Sequence, residues 1–258
     1  MSVNKTNWLW ILFGITIALY IISMIICPWF EGNGDWEYVQ ATWYSWQSFN
    51  AGVLLFFSSI VALKITIYSE NEQSKRNFLA ARAFLPEALS ELTTYLKLST
   101  DLLKEAWQKT KDKSKTPLTT KVPSLPASYK EIFAKLIGYA EPDVGNHLVL
   151  ILVRLQVHDS RINTLSRNFY ENSTNENSTT IILPQNIISY FYCLAELQVL
   201  INKTFGYARG LEEFDNSDLI WSDYLNVYHF LDIAPDEFDD LEGFTKRAIE
   251  NKIENPIS

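Results

Sequence analysis

Two hydrophobic segments near the start of the chain limit what it can fold into. The first covers about residues 8–26 and carries no charge; the second covers about residues 46–67, with Lys64 near its end. An α-helix rises about 1.5 Å per residue, so each segment is long enough to cross a hydrocarbon core about 30 Å thick. No later stretch is apolar and uncharged over such a length. The pattern therefore predicts an all-α protein: an N-terminal two-helix transmembrane hairpin (1–68, with a short outer loop at 27–45), a juxtamembrane stalk helix (69–85) and a cytoplasmic helical domain of five or six helices (86–258).

The charges near the spans predict their orientation. The segment between them, 27–48, contains Glu31, Asp35 and Glu37 but no Lys or Arg. Lys5 precedes the first span, and Lys64, Lys75, Arg76 and Arg82 lie at or beyond the end of the second. Positive residues close to membrane ends stay on the cytoplasmic side, so both termini are expected there. Lys64 reads as an anchor whose stem snorkels to the phosphates. Six of the 8 tryptophans fall within the first 46 residues. Indole prefers the headgroup level, which makes Trp8 and Trp10 inner-interface anchors and Trp29, Trp43 and Trp46 outer ones. The first segment is longer than a usual signal core. Ile26 stands before Cys27, where lipoprotein processing needs a small residue, so an uncleaved anchor is expected. Asn50, Gly52, Ser58 and Ser59 are small or polar and could pack the spans together or join neighbouring chains.

The net charge is −8, and it is unevenly placed. From residue 211 onward there are 13 of the 30 acids but 3 of the 22 Lys and Arg. An acidic tail argues against general nucleic-acid binding, which needs a basic face. Cys27 and Cys193 are too few for a disulfide framework, and this topology places them on opposite sides of the membrane.

Beyond residue 69 the pattern is helical almost throughout. Pro86 is expected to kink or restart the stalk helix. Leu89, Leu92, Leu96 and Leu103 recur at helical spacing up to about Trp107. Residues 108–124, with five lysines and two prolines, read as a flexible exposed linker. A helix is predicted at about 126–140. A strongly apolar one follows at 144–169, and its 148–153 turns are apolar on every side, so it reads as the buried core helix. Residues 168–182 are rich in Asn, Ser, Thr and Glu and read as a second flexible loop. Helices at about 184–209, 217–233 and 235–253 complete the chain, with Pro184 and Pro235 at first-turn positions.

No glycine-rich phosphate loop, nucleophile elbow, paired-cysteine zinc pattern or zinc-protease helix motif is present. His147 and His158 share a helix face but lie about 16 Å apart along it. They cannot share a metal ion, whose ligands lie within about 2 Å of it. Asp236, Glu237, Asp239, Asp240 and Glu242 fit a helix first turn, favoured by the dipole, better than a calcium loop. No metal or other cofactor is therefore expected. Arg154, His158 and Arg161 recur at four and three residues and form one basic stripe. The stripe would either hold a phosphate or carboxylate ligand or pair with acids of the tail; tail acids between Glu212 and Glu242 are the expected partners. Asp159 follows His158 directly and points about 100° away, which weakens any catalytic pairing of the two.

The stretches "WQSFNAG", "FLAARAFLPEALSEL" and "DDLEGFTKRA" resemble those of short proteobacterial two-span inner-membrane proteins. The resemblance implies an inner-membrane location and brings no activity with it. Three functional classes follow. The leading one is a non-enzymatic membrane-anchored helical module that binds a cytoplasmic protein or itself. The second is an effector whose hairpins oligomerise and perturb the bilayer. The third is an enzyme or ligand-binding protein built on the Arg154/His158/Arg161 stripe. The partners expected are the lipid bilayer, further copies through the spans and a cytoplasmic protein.

Overall fold

The structure is a computed structural model that describes residues 3–174 and 182–251, with side chains from residue 11 onward except residue 12. Among these residues all regular structure is helical. The chain divides into two compact units, Met1–Glu72 and Gln73–Ser258.

The first unit opens with helix α1 (Val3–Ile21), which passes through a π-helical turn (Ile22–Ile26) into α2 (Cys27–Glu31). Pro28 explains the disturbance. It has no N–H to offer the carbonyl one turn back, and a freed carbonyl in an apolar setting needs another donor. The indole Nε1 of Trp43 donates to the Met24 carbonyl oxygen at 2.8 Å. Trp43 lies on α3 (Trp36–Ser45), so the expected outer loop carries helical structure of its own. The turn into α3 uses Asn33 and Gly34 at positive φ, and the Asp35 carboxylate caps the helix by accepting the Glu37 N–H at 2.9 Å. Helix α4 (Gln47–Lys111) then runs back antiparallel to α1. Tyr20 Oη donates to Asn50 Oδ1 at 3.0 Å, and Asn50 Nδ2 donates to the Trp43 carbonyl at 3.3 Å. Phe13 and Phe57 meet edge to face at 5.4 Å. Asn50 is thus a buried amide satisfied on both sides, and it ties α1, α3 and α4 together.

Among the described residues two helices are long and apolar enough to cross a membrane: the one containing Phe13–Glu31, and α4. On α4, Leu54, Leu55, Phe56, Val61, Leu63 and Ile65 are all more than half exposed.

Pro86, expected to kink or restart the helix, does not restart it: it sits inside α4, which runs on for 65 residues. A proline removes one intrahelical hydrogen bond and crowds the preceding turn. Here Leu85, Ala88, Leu89 and Leu92 flank it with no exposure at all. Their burial, together with the high helix propensity of Ala and Leu, outweighs the local defect.

In the second unit, α4 packs beside α6 (Pro142–Thr174) and α7 (Pro184–Ala208). Contacts between α6 and α7 pair His147 with Leu200, Arg154 with Glu196 and Arg161 with Cys193, so the two run antiparallel. Helix α7 is the centre of the core, with Ile187, Phe191, Leu194, Ala195, Leu197 and Ile201 fully buried. Helix α6 departs from expectation. Its inward face is Leu148, Ile151, Leu155, His158 and Ile162, but Val149, Leu150 and Val153 are 42, 40 and 48% exposed. The run that is apolar on every side is covered on one side only.

Helices α5 (Tyr129–Tyr139), α8 (Trp221–Phe230) and α9 (Leu241–Glu250) close the core. The single helix expected at 235–253 is interrupted. Pro235–Glu237 forms a 3₁₀ turn, Phe238 turns inward against Phe191 and Trp107, and Asp240 adopts φ +65° before α9 begins. Burying the Phe238 ring breaks the helix that the acidic run alone would favour. The 168–182 loop is helical up to Thr174, and its residues 175–181 lie outside the described residues.

Residues 108–124 are likewise not a free linker. Helix α4 extends to Lys111, and Leu118, Val122 and Leu125 pack on the core. Glu105 holds the segment: its carboxylate accepts the backbone N–H groups of Thr119 and Thr120, each at 2.7 Å, and pairs with Lys109 at 3.2 Å. Burial alone would raise the Glu105 pKa, but the hydrogen bonds from Thr119 and Thr120 outweigh it and bring the value down to about 2. Replacing Glu105 by alanine is expected to destabilise the protein by about 1–3 kcal/mol. It should also release the segment, read as faster tryptic cleavage at Lys113, Lys115 and Lys121. An unchanged cleavage rate would show that the apolar contacts alone hold it.

Candidate functional site

The basic stripe of α6 lies inside the second unit. Arg154 pairs with Glu196 of α7 at 3.3 Å, and the two side chains are 17% and 12% exposed. The partner is therefore a core acid and not, as expected, an acid of the tail. Glu196 is the lone acid of α7, and an apolar helix face cannot leave a guanidinium unpaired without a cost of several kcal/mol. Burial raises the Glu196 pKa, and Arg154 opposes the rise. Tyr192, one turn before Glu196, stacks on Tyr224 of α8 with ring centroids 5.6 Å apart and planes 8° from parallel.

His158 is 3% exposed, and its Nε2 has no hydrogen-bond partner. Burial, with the nearby Arg161 adding to it, pushes its pKa down to about 3, so the ring is neutral near pH 7. It meets Tyr95 of α4 edge to face at 5.9 Å. The hydroxyl of Tyr95 donates to Asp159 Oδ1 at 3.0 Å, which engages Asp159 with α4 and away from His158. Arg161 donates from Nη1 to the Cys193 sulfur at 3.1 Å and lies over the Tyr190 ring at 5.4 Å. Burial raises the Cys193 thiol pKa, and Arg161 partly offsets this. The stripe thus brings its three residues onto one face, His158 buried and Arg154 and Arg161 half-buried, where each is turned to a neighbouring helix.

His147 is separate from this cluster. Its Nε2 lies 3.1 Å from both the Leu200 carbonyl and Thr204 Oγ1, and its ring packs on Phe214. Among the described residues no group of three or more His, Cys, Asp or Glu could hold a metal ion.

A cleft of about 860 Å³ opens elsewhere in the second unit, lined by Lys75, Arg82, Glu141, Asp143, Glu212 and Phe214 among others. Arg82 is already engaged there. Its Nε donates to the Tyr207 carbonyl at 2.8 Å, and its guanidinium lies 4.3 Å from the centroid of the Tyr207 ring. It caps the C-terminal end of α7, where the helix dipole favours a cation, next to the positive-φ turn at Gly210.

Of the interface anchors, the side chains of Trp8 and Trp10 lie outside the described residues. Trp29 and Trp46 are 42 and 54% exposed and contact Trp36 and Phe49. Trp43 is engaged internally with Met24, and Lys64 is exposed on α4. Asn50, singled out in the sequence as a residue that could pack the spans together, does join α1 to α4, whereas sequence reasoning missed Glu196 as an organising residue. The signal for Glu196 was its isolation: no other charge stands between Pro184 and Lys203. Compared with protein-family models, curated proteins and solved structures, the chain matches none.

Proposed function

We propose that the chain is a membrane-anchored, non-enzymatic helical module of a bacterial inner membrane. In this reading α1 with α2, and the first part of α4, form the two spans, and both termini are cytoplasmic. The second unit binds a cytoplasmic protein or another copy. One observation carries the reading. Along α4, a continuous helix, Leu54, Leu55, Phe56, Val61, Leu63, Ile65 and Ile67 are exposed, whereas Ala81, Leu85, Ala88 and Leu89 are buried. A water-soluble chain would not leave so large an apolar surface uncovered; lipid covers it without further cost. The non-enzymatic part is supported by the internal pairing of Arg154 and Arg161, which leaves the stripe no open face for a substrate.

A second reading, an oligomerising effector that perturbs the bilayer, is favoured by Gly14 and Gly52. A Cβ added at either meets nothing within 4 Å, which leaves room for a neighbouring helix to approach closely. Induced expression of the full chain in a bacterial host separates the two. The module is expected to accumulate without growth arrest. Arrest with entry of a membrane-impermeant dye, lost when residues 8–67 are replaced by an unrelated two-span hairpin, would overturn it in favour of the effector.

A further inference from the structure

Between α3 and the π-helical turn there is a hollow of about 550 Å³. Ile25, Trp36, Val39 and Trp43 form its apolar lining; the amides of Gln40 and Gln47 and the ring of Tyr44 complete it. No charged side chain lines it. The wall is built rather than incidental. Trp43 is locked by its bond to the Met24 carbonyl, and its own carbonyl is held by Asn50. Val39 behind it is 2% exposed. Helix α3 presents Trp36, Val39, Gln40 and Trp43 at helical spacing, so the hollow runs along one face of α3 and ends at Gln47, the first residue of α4. Its volume is that of a ligand pocket, and apolar walls of this kind stay dry unless an apolar group fills them.

We propose that this hollow binds one acyl chain of a zwitterionic, ammonium-bearing phospholipid from the outer leaflet. The inference rests on the membrane reading above, which places α3 at the outer membrane–water boundary. Charge complementarity selects the lipid. Glu31, Asp35 and Glu37 are exposed in this segment, Asp35 and Glu37 flank Trp36, and residues 27–48 contain no Lys or Arg. An ammonium headgroup is attracted there, and a net anionic headgroup is repelled. The amides of Gln40 and Gln47 supply donors suited to the ester carbonyls of the glycerol region, where the apolar chain ends.

The test is native mass spectrometry of the full chain in mild detergent, titrated with a synthetic phosphatidylethanolamine or a phosphatidylglycerol of the same chain length. One bound ethanolamine lipid is expected, with occupancy well above that of the anionic lipid. Gln40→Trp, which fills the hollow from an exposed helix position, should lower that occupancy about tenfold, as expected when a ligand loses most of its buried surface. Trp36→Ala, which opens one wall, should lower it as well. Equal binding of the two lipids, or unchanged binding in both variants, would overturn the proposal. Alkaline carbonate extraction of the same membranes separates the two levels. Release of the chain would overturn the membrane reading and this site with it. Retention without a lipid adduct would overturn the site alone.

Discussion

Replacing Glu196 with alanine is expected to destabilise the protein by about 3–5 kcal/mol, because it leaves Arg154 charged and unpaired among apolar neighbours. Arginine cannot shed its proton to escape. Glutamate can, so Arg154→Ala should be milder: the stranded Glu196 takes up a proton instead. Burial already raises the Glu196 pKa, and removing Arg154 takes away what opposes the rise. A carboxyl whose folded pKa lies above its unfolded value contributes full stability below the ordinary carboxylate range and loses it as pH rises through the folded value. The Arg154→Ala protein should therefore grow less stable from about pH 4.5 upward, where the wild type changes less. Substituting both residues, Arg154→Met with Glu196→Leu, should recover wild-type stability or exceed it, because well-packed apolar side chains match or better a buried pair. Thermal unfolding of the full chain in detergent reads all three. Loss of less than about 1 kcal/mol in Glu196→Ala would mean that water reaches the pair.

His158 predicts an acid lability with its own window. The folded pKa is about 3 against an ordinary 6.5. Neutral histidine is thus favoured in the fold, so its contribution is complete above about pH 6.5 and is lost as pH falls towards 3. The full span corresponds to about 5 kcal/mol. Glu105, also depressed in the fold, loses its contribution only below about pH 4.5, as pH falls towards about 2. The slope between pH 6.5 and 5 therefore carries His158 together with His147, whose pKa burial also lowers. In His158→Leu that slope should flatten, with stability at pH 5 closer to its value at pH 7. An unchanged slope would show that the ring can reach solvent and protonate without unfolding.

The helices themselves were legible because they are strongly periodic and well punctuated. Pro184 marks the start of α7, and the apolar runs at 8–26 and 46–67 fall on α1 with its continuation and on the first part of α4. The errors share one physical origin, tertiary packing overriding a local signal. Pro86 stays inside a helix because Leu85, Ala88, Leu89 and Leu92 around it are buried in the core. Phe238 breaks a helix because its ring is drawn against Phe191. The Lys-rich 108–124 segment is fixed by a carboxylate of α4 that no local pattern could assign to it. For the stripe, the spacing of Arg154, His158 and Arg161 placed them on one face, but which helix that face meets depends on how α6 and α7 pack. The Arg154 partner came from the core and not from the acidic tail. Asn50 was legible as a residue that could pack the spans together, but its partners Tyr20 and Trp43 were not, because the connection joins residues up to 30 positions apart.

The most direct measurement for the central claim is cysteine accessibility across the membrane. In a Cys27→Ser background, Glu37→Cys reports on the segment between the proposed spans and Glu213→Cys on the second unit; both positions are exposed. The remaining native thiol, Cys193, is buried and should stay silent. With a membrane-impermeant maleimide, Glu37→Cys should be labelled in intact spheroplasts and protected in sealed inside-out vesicles, and Glu213→Cys should show the reverse. Labelling of both positions from the same side of the membrane would contradict the two-span anchor.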